Sequence, residues 1–127
     1  MPVYNVACPR PLPEATRAAV AGAITQTHCR ETDAPAAFVN VVLMHNYPLP
    51  AGVALSVLGG VRSGGNRTPE SIEALRQALI IAVAQAAGVE AQAVAVELLG
   101  APAQWAMEGG RVLPEPGAED AWFAAQR

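Results

Sequence analysis

Lysine is absent from this 127-residue chain, and all eight of its cationic side chains are arginine. No lysine Schiff base can form, so any imine chemistry would fall to the amine at the N-terminus. The formal net charge of −3 argues against non-specific binding of nucleic acid. The chain has only two cysteines, Cys8 and Cys29, without the spacing of metal ligands, and we expect neither a metal nor a cofactor. The small number of cysteines, together with the lack of a recognisable signal peptide, favours a reducing, cytoplasmic location.

Long hydrophobic runs are missing as well. The longest apolar stretch, near residues 78–89, is interrupted by Gln85 and Gly88 and is too short to span a membrane. Hydrophobic residues nevertheless make up 52% of the chain, much of it alanine and valine, which indicates a folded protein. We expect one domain with a sizeable core over residues 1–127.

The chain contains an internal repeat, in which two similar units are offset by about 56 residues. Leu12-Pro13-Glu14 and Thr68-Pro69-Glu70 each open a predicted helix, the first reaching about His28 and the second about Ala87. A valine-rich strand precedes each helix and another follows it. The predicted strands cover 3–7, 38–44, 53–61 and 93–99. The repeat units are therefore about 2–46 and 53–100, with a C-terminal tail over 101–127.

Two β-α-β units predict an α/β (α+β) fold with parallel strand pairs and right-handed crossovers. The helices each show an apolar stripe at helical spacing, so both should cover one face of a four-stranded sheet. The other face also carries Val and Ala positions, and the tail is too short to cover it. We expect other copies of the chain to bury that face, which predicts a homo-oligomer.

The first residues, Met1-Pro2-Val3, form a candidate catalytic group. Pro2 is small enough to permit removal of Met1, which leaves a secondary amine at the head of a strand. An α-amino group titrates at roughly 7.7 to 8.0, and burial or a nearby cation lowers that pKa. Such an amine can act as an acid, a base or a nucleophile. Retention of Met1 would turn the prolyl nitrogen into an amide and remove the catalyst.

A glycine-containing loop, residues 62–69, joins a strand to the second helix and carries Arg62 and Arg67. Glycine allows close approach of the backbone to a ligand, a helix N-terminus attracts anions, and arginine recognises carboxylates with two hydrogen bonds. The lysine of a nucleotide-binding loop is missing, so a small carboxylate is the expected ligand. The alternative is a solvated glycine loop with two surface arginines.

Three further polar residues are candidates for the site. His28 lies at the end of the first helix, where the helix C-terminus favours the imidazolium form; the alternative is a cap or core residue. Glu108 lies in an apolar turn, where a raised pKa would suit an acid or base, unless it is an ordinary exposed carboxylate. Glu97 interrupts an apolar strand and is either exposed on the sheet or placed in the site.

The C-terminal tail carries the most specific pattern. It comprises Pro102-Ala103-Gln104, Glu108, the run Gly110-Arg111-Val112-Leu113-Pro114-Glu115-Pro116-Gly117, and Trp122-Phe123. With Pro2-Val3-Tyr4, the Ala23 to His28 segment and the arginine loop, these stretches resemble the tautomerase superfamily, and within it the cis-3-chloroacrylic acid dehalogenase group. The resemblance covers nearly the whole chain.

That resemblance implies a homotrimer in which Pro2 transfers protons and Arg62 and Arg67 bind the substrate carboxylate. It also implies that His28 holds substrate or a water molecule, which Glu108 activates. The arginine loop is longer here than in the family, and Glu97 occupies the position of the family's water-site tyrosine. An ionised Glu repels a carboxylate substrate, which disfavours hydrolytic dehalogenation.

The expected function is therefore tautomerisation of a small 2-oxo or enol acid. The alternatives are hydratase, decarboxylase or dehalogenase activity on three-carbon acids, and a non-catalytic trimeric ligand-binding protein.

Overall fold

The computed structural model describes all 127 residues as a sheet of four strands covered by two long helices. No helix is both long enough and apolar enough to cross a membrane. The elements follow in chain order: β1 (Val3–Ala7), α1 (Glu14–Thr32), β2 (Asn40–Met44), β3 (Leu55–Ser63), α2 (Pro69–Ala87), β4 (Val94–Pro102), β5 (Met107–Glu108), β6 (Arg111–Val112) and α3 (Glu119–Ala124).

The sheet has the strand order β2-β1-β3-β4. Strands β1 and β2 are parallel, as are β3 and β4, while the central pair β1 and β3 is antiparallel. The predicted tandem β-α-β architecture is thus confirmed. The antiparallel central pair brings the beginning of β1 beside the end of β3, with Val3 opposite Gly60. Pro2 and the arginine loop therefore lie at the same end of the two central strands.

The core lies between the sheet and the two helices. Both predicted helical stripes face it, with Val20 and Ile24 of α1 fully buried alongside Leu75 and Leu79 of α2. Helix α2 begins as predicted: the Thr68 side chain accepts from the Ser71 N–H, and the Ser71 hydroxyl accepts from the Thr68 N–H, which forms a capping box.

The sheet face turned away from the helices, here called the outer face, carries large apolar side chains in contact with water. Leu58 is 44% exposed and Leu99 60% exposed. The exposed residues on this face are Val3, Asn40, Val42, Met44, Leu58, Glu97 and Leu99.

Several of the predicted boundaries differ from the structure. Strand β2 begins at Asn40, because Ala36–Phe38 form a short 3-10 turn, and β3 covers Leu55–Ser63, so that Arg62 lies in this strand and not in the predicted loop. Helix α1 does not end near His28 but continues for one more turn to Thr32. It ends where Asp33 adopts a left-handed conformation with φ of 56° and donates its N–H to the Cys29 carbonyl. Asp tolerates this conformation better than most residues. Strand β4 runs on to Pro102, so that it pairs with the whole of β3.

Candidate active site

The N-terminal residues lie in a partly buried position where β1, the β3 end and the tail meet. Pro2 is buried, and its carbonyl accepts a hydrogen bond from the Asn40 N–H at 3.1 Å, which ties the chain start to β2. The terminal amine, on Met1, contacts Glu108 Oε1. Burial, and next the positive charge of Arg62, lower the pKa of this amine from 8.0 to about 6. A neutral amine is therefore available near pH 7.

Glu108 reaches the amine because it lies on a tight hairpin. Strands β5 and β6 pair Glu108 with Arg111 across a two-residue turn. Gly109 and Gly110 both have positive φ, of 57° and 76°, which a type I′ hairpin turn requires. The Glu108 side chain is only 32% exposed, so its carboxylate is held beside the amine and is not a freely solvated turn residue.

His28 is fully enclosed on the helix side of the sheet, and its partner is Tyr4. The two side chains form a 2.8 Å hydrogen bond between the Tyr4 hydroxyl and His28 Nδ1. Burial, followed by the charges of Arg67, Arg62 and the N-terminus, lowers the pKa of His28 from 6.5 to about 3. The expectation that the helix C-terminus favours imidazolium is therefore wrong, because desolvation and the neighbouring cations outweigh the helix dipole.

The neutral state of His28 determines what its ring can do. Burial raises the pKa of the Tyr4 hydroxyl, so that hydroxyl stays protonated and donates to Nδ1. Nε2 then carries the ring proton. This nitrogen is buried and has no hydrogen-bond partner within the chain. Because unpaired buried donors are costly, His28 Nε2–H is a ready donor for a ligand oxygen.

Arg67 lies beside the C-terminal end of α1. Its Nη1 donates to the Thr32 carbonyl at 3.2 Å and to Asn66 Oδ1 at 2.7 Å, and no carboxylate lies within ion-pair distance. Burial and the nearby Arg62 lower the pKa of Arg67. The guanidinium is thus partly desolvated, close to a second cation and bonded only to neutral acceptors, which favours binding of an anion.

Arg62 is a buried residue of β3, and not one of the solvated surface arginines considered as the alternative for this loop. Its side chain is 2% exposed, and its Nη2 donates to Glu119 Oε1 at 2.6 Å. Its Nη1 donates to the Pro114 carbonyl at 2.5 Å, and its guanidinium carbon lies 5.4 Å from the centre of the Phe38 ring. Arg62 therefore joins the sheet to the tail in addition to lying near the amine.

Glu97 is not brought together with the other candidates. It lies opposite Leu58, which in turn lies opposite Asn5, and this row of side chains points to the outer face. Glu97 is exposed there, whereas Tyr4 and His28 lie on the helix side. Within one chain it is therefore an exposed sheet residue, and it can approach a site only across a contact between subunits.

Comparisons with known proteins agree with this architecture. No family model and no curated protein sequence matches the chain. Among solved structures, N1, a member of the cis-3-chloroacrylic acid dehalogenase (cis-CaaD) family, is 28% identical and superposes with a TM-score of 0.85 over 96% of this chain and 90% of its own. Native Ps01740 is 31% identical over 84% of this chain and 99% of its own, with a TM-score of 0.67.

The chain belongs to the tautomerase superfamily, within its cis-CaaD-like group. A further tautomerase-like neighbour, the Q0 fused 4-OT, is 26% identical with a TM-score of 0.71 over 98% of this chain and 99% of its own. Its solved structure is described as a symmetric trimer.

Three residues of this tautomerase-like site do not stand out in the sequence as candidates of their own. Tyr4 and Phe38 look like ordinary strand and core aromatics, although the alternation of β1 places Tyr4 on the buried face. Glu119 follows a Pro-Gly turn among other acidic residues and looks exposed, yet only 7% of its surface is exposed. Its pairing with Arg62, 57 residues away, has no local signal.

Proposed function

We propose that this protein is a proline-based tautomerase that acts on a small 2-oxo or enol carboxylic acid. The observation that carries the proposal is the convergence of a partly desolvated amine, a neutral imidazole with a free Nε2–H and a guanidinium without a carboxylate partner. General acid-base catalysis needs a group whose pKa lies near the working pH, and the lowered pKa at the chain start meets that need.

In the proposed reaction, removal of Met1 transfers the terminal amine to Pro2. The same burial and the same Arg62 charge act there, because Pro2 is buried and adjoins the position of the Met1 amine. The neutral prolyl nitrogen accepts the proton of an enol hydroxyl and delivers it to the neighbouring carbon. The enol C–O bond becomes a carbonyl, a C–H bond forms at carbon three, and the amine returns to its neutral state.

The other residues hold the substrate and its charge. Arg67 binds the carboxylate through donors that its neutral partners leave free. His28 Nε2–H donates to the oxygen that becomes the carbonyl, where negative charge develops. Glu108 contacts the amine of Met1, one residue before the prolyl nitrogen, and we assign to its carboxylate the stabilisation of the transient ammonium once Met1 is removed. Arg62, which is paired with Glu119, acts on the amine, because its charge lowers the amine pKa.

We also propose that the protein is a homotrimer. The exposed apolar side chains of the outer face need cover, and a fused 4-OT of similar length and fold is a symmetric trimer. In such an assembly Glu97 would face a neighbouring subunit.

The second candidate is hydration or dehalogenation of a three-carbon acid, favoured by the Glu108 carboxylate and the His28 donor, which together suit a water molecule. A parallel assay decides between the two: ultraviolet absorbance for ketonisation of an arylenolpyruvate, and chloride release from 3-chloroacrylate. We expect ketonisation to be fast and chloride release to be slow or absent. Fast chloride release would favour the second candidate, and the absence of both reactions in protein that begins at Pro2 would indicate a non-catalytic binding protein.

A further inference from the structure

The two guanidiniums of the site have different partners. Arg62 is paired with the Glu119 carboxylate at 2.6 Å, whereas Arg67 donates only to a backbone carbonyl and an amide oxygen. An Arg-carboxylate pair is the same chemistry that a substrate acid would use. Glu119 therefore offers Arg62, from within the chain, the group that a ligand would otherwise provide.

Glu119 is firmly held in this position. Its two carboxylate oxygens lie 3.2 and 3.1 Å from the Gly117 N–H. Gly117 has φ of 97°, in the region that favours glycine, and a Cβ there would lie 3.2 Å from Asn66 Nδ2. Burial by itself would raise the pKa of Glu119, but the hydrogen bonds from Arg62 and from backbone N–H groups lower it. The residue is thus a buried, charged carboxylate at neutral pH.

The end of β3, which carries Arg62, and the loop after it, which carries Arg67, are also attached to the tail that carries Glu119. The Asn66 N–H donates to the Pro116 carbonyl at 3.3 Å, and Arg62 Nη1 donates to the Pro114 carbonyl. Arg62 is consequently fixed at its tip by three groups: two tail contacts and the Phe38 ring. Binding of a ligand carboxylate at Arg62 would have to displace Glu119 or place two like charges on one guanidinium.

We infer, on the basis of the proposed carboxylate site, that Glu119 determines specificity by neutralising Arg62, so that the site accepts acids with one carboxylate, bound at Arg67. Of the three charged side chains, Arg62 and Glu119 form an ion pair, whereas Arg67 forms none and feels the negative charges of Glu119 and Asp33 only at longer range. A dicarboxylate would bring a second negative charge toward Glu119 without finding a second free cation.

The test is direct binding of two probes, propionate and malonate, to the trimer with Met1 removed, measured by calorimetry. Glu119→Gln keeps the shape and an oxygen that accepts from Arg62, but removes the charge. We expect malonate to bind about tenfold more tightly to this variant than to the wild type, because the negative charge that opposes its second carboxylate is gone. Propionate should change by less than about threefold. Asp120→Asn, an exposed carboxylate in the same helical turn, is the control and should change neither affinity.

A second variant covers the risk that Glu119→Gln leaves Arg62 uncompensated and unstable. Replacement of a buried ion pair by apolar residues is often tolerated, so Arg62→Met/Glu119→Leu should fold. It should bind propionate within about threefold of the wild type and gain nothing for malonate, because both charges are gone.

Equal changes in affinity for both probes in Glu119→Gln, or loss of propionate binding in the double variant, would overturn the specificity role of Glu119. The proposed carboxylate site at Arg67 would still stand. Failure of the wild type to bind propionate at all would overturn the proposed carboxylate site as well. Since the readout is binding, the result does not depend on whether tautomerase activity is found.

Discussion

Replacement of Tyr4 by Phe tests how the fold prepares His28. The change removes one oxygen atom and with it the 2.8 Å hydrogen bond to His28 Nδ1, while the buried ring remains. Nδ1 is then a buried acceptor without a partner, which costs about 1–3 kcal/mol of unfolding free energy. Nothing then fixes the proton on Nε2, so the donor that we assign to the substrate oxygen is present for only part of the time.

We expect Tyr4→Phe to lower the free energy of unfolding by about 1–3 kcal/mol in urea titrations and kcat by about tenfold or more. Tyr47→Phe is the matched control, because Tyr47 is the other tyrosine and is 52% exposed. It should alter neither quantity measurably. Nitrogen NMR of the His28 ring should show protonation at Nε2 in the wild type and a mixture in Tyr4→Phe. Wild-type kcat together with an unchanged ring spectrum in Tyr4→Phe would refute the assigned role of Tyr4.

Three further predictions concern the carboxylate site, the amine and the assembly. Arg67→Ala should lower kcat/KM for a carboxylate substrate by about tenfold or more, and for its ester by much less; equal losses would mean that Arg67 acts on structure. The rate should fall as the pH decreases through the pKa of the prolyl amine, because protonation removes the base, and the midpoint should lie below the pKa of the prolyl amine in a short unfolded peptide that begins Pro-Val-Tyr, since burial and the Arg62 charge disfavour the charged form; a midpoint at or above that of the peptide would contradict the burial of the amine. Leu58→Arg should shift sedimentation equilibrium from trimer toward monomer, whereas Ile81→Arg, 54% exposed on a helix, should not; an intact Leu58→Arg trimer would place the subunit contact elsewhere.

The fold could be predicted closely because its signals are local. The Val-rich strands, the capped start of α2 and the two helical stripes all appear in windows of the sequence, and the repeat specifies the topology. The end of α1 was missed because nothing between Cys29 and Thr32 breaks a helix, and the end is set by the conformation of Asp33.

The site could be predicted only in part, because its chemistry depends on contacts between distant residues. Burial of His28, and next its approach to Arg67, Arg62 and the chain start, lowers its pKa, and a helix-end argument cannot include these effects. The pairing of Arg62 with Glu119 likewise joins residues that no spacing rule connects. The sequence indicates Arg62, Arg67 and Glu108 as candidates. The structure was needed to show that Arg62 is paired with Glu119 of the tail, whereas Arg67 has only neutral partners.

The most direct test of the central claim compares Pro2→Ala with the wild type, with the N-terminus of both verified by mass spectrometry. Both proteins should have lost Met1, so that the comparison is between a secondary and a primary amine at the same position. We predict that Pro2→Ala keeps the fold and loses about 10²- to 10⁴-fold in kcat for arylenolpyruvate ketonisation. Wild-type kcat in Pro2→Ala, or full activity in protein that retains Met1, would contradict the claim that the prolyl amine transfers the proton.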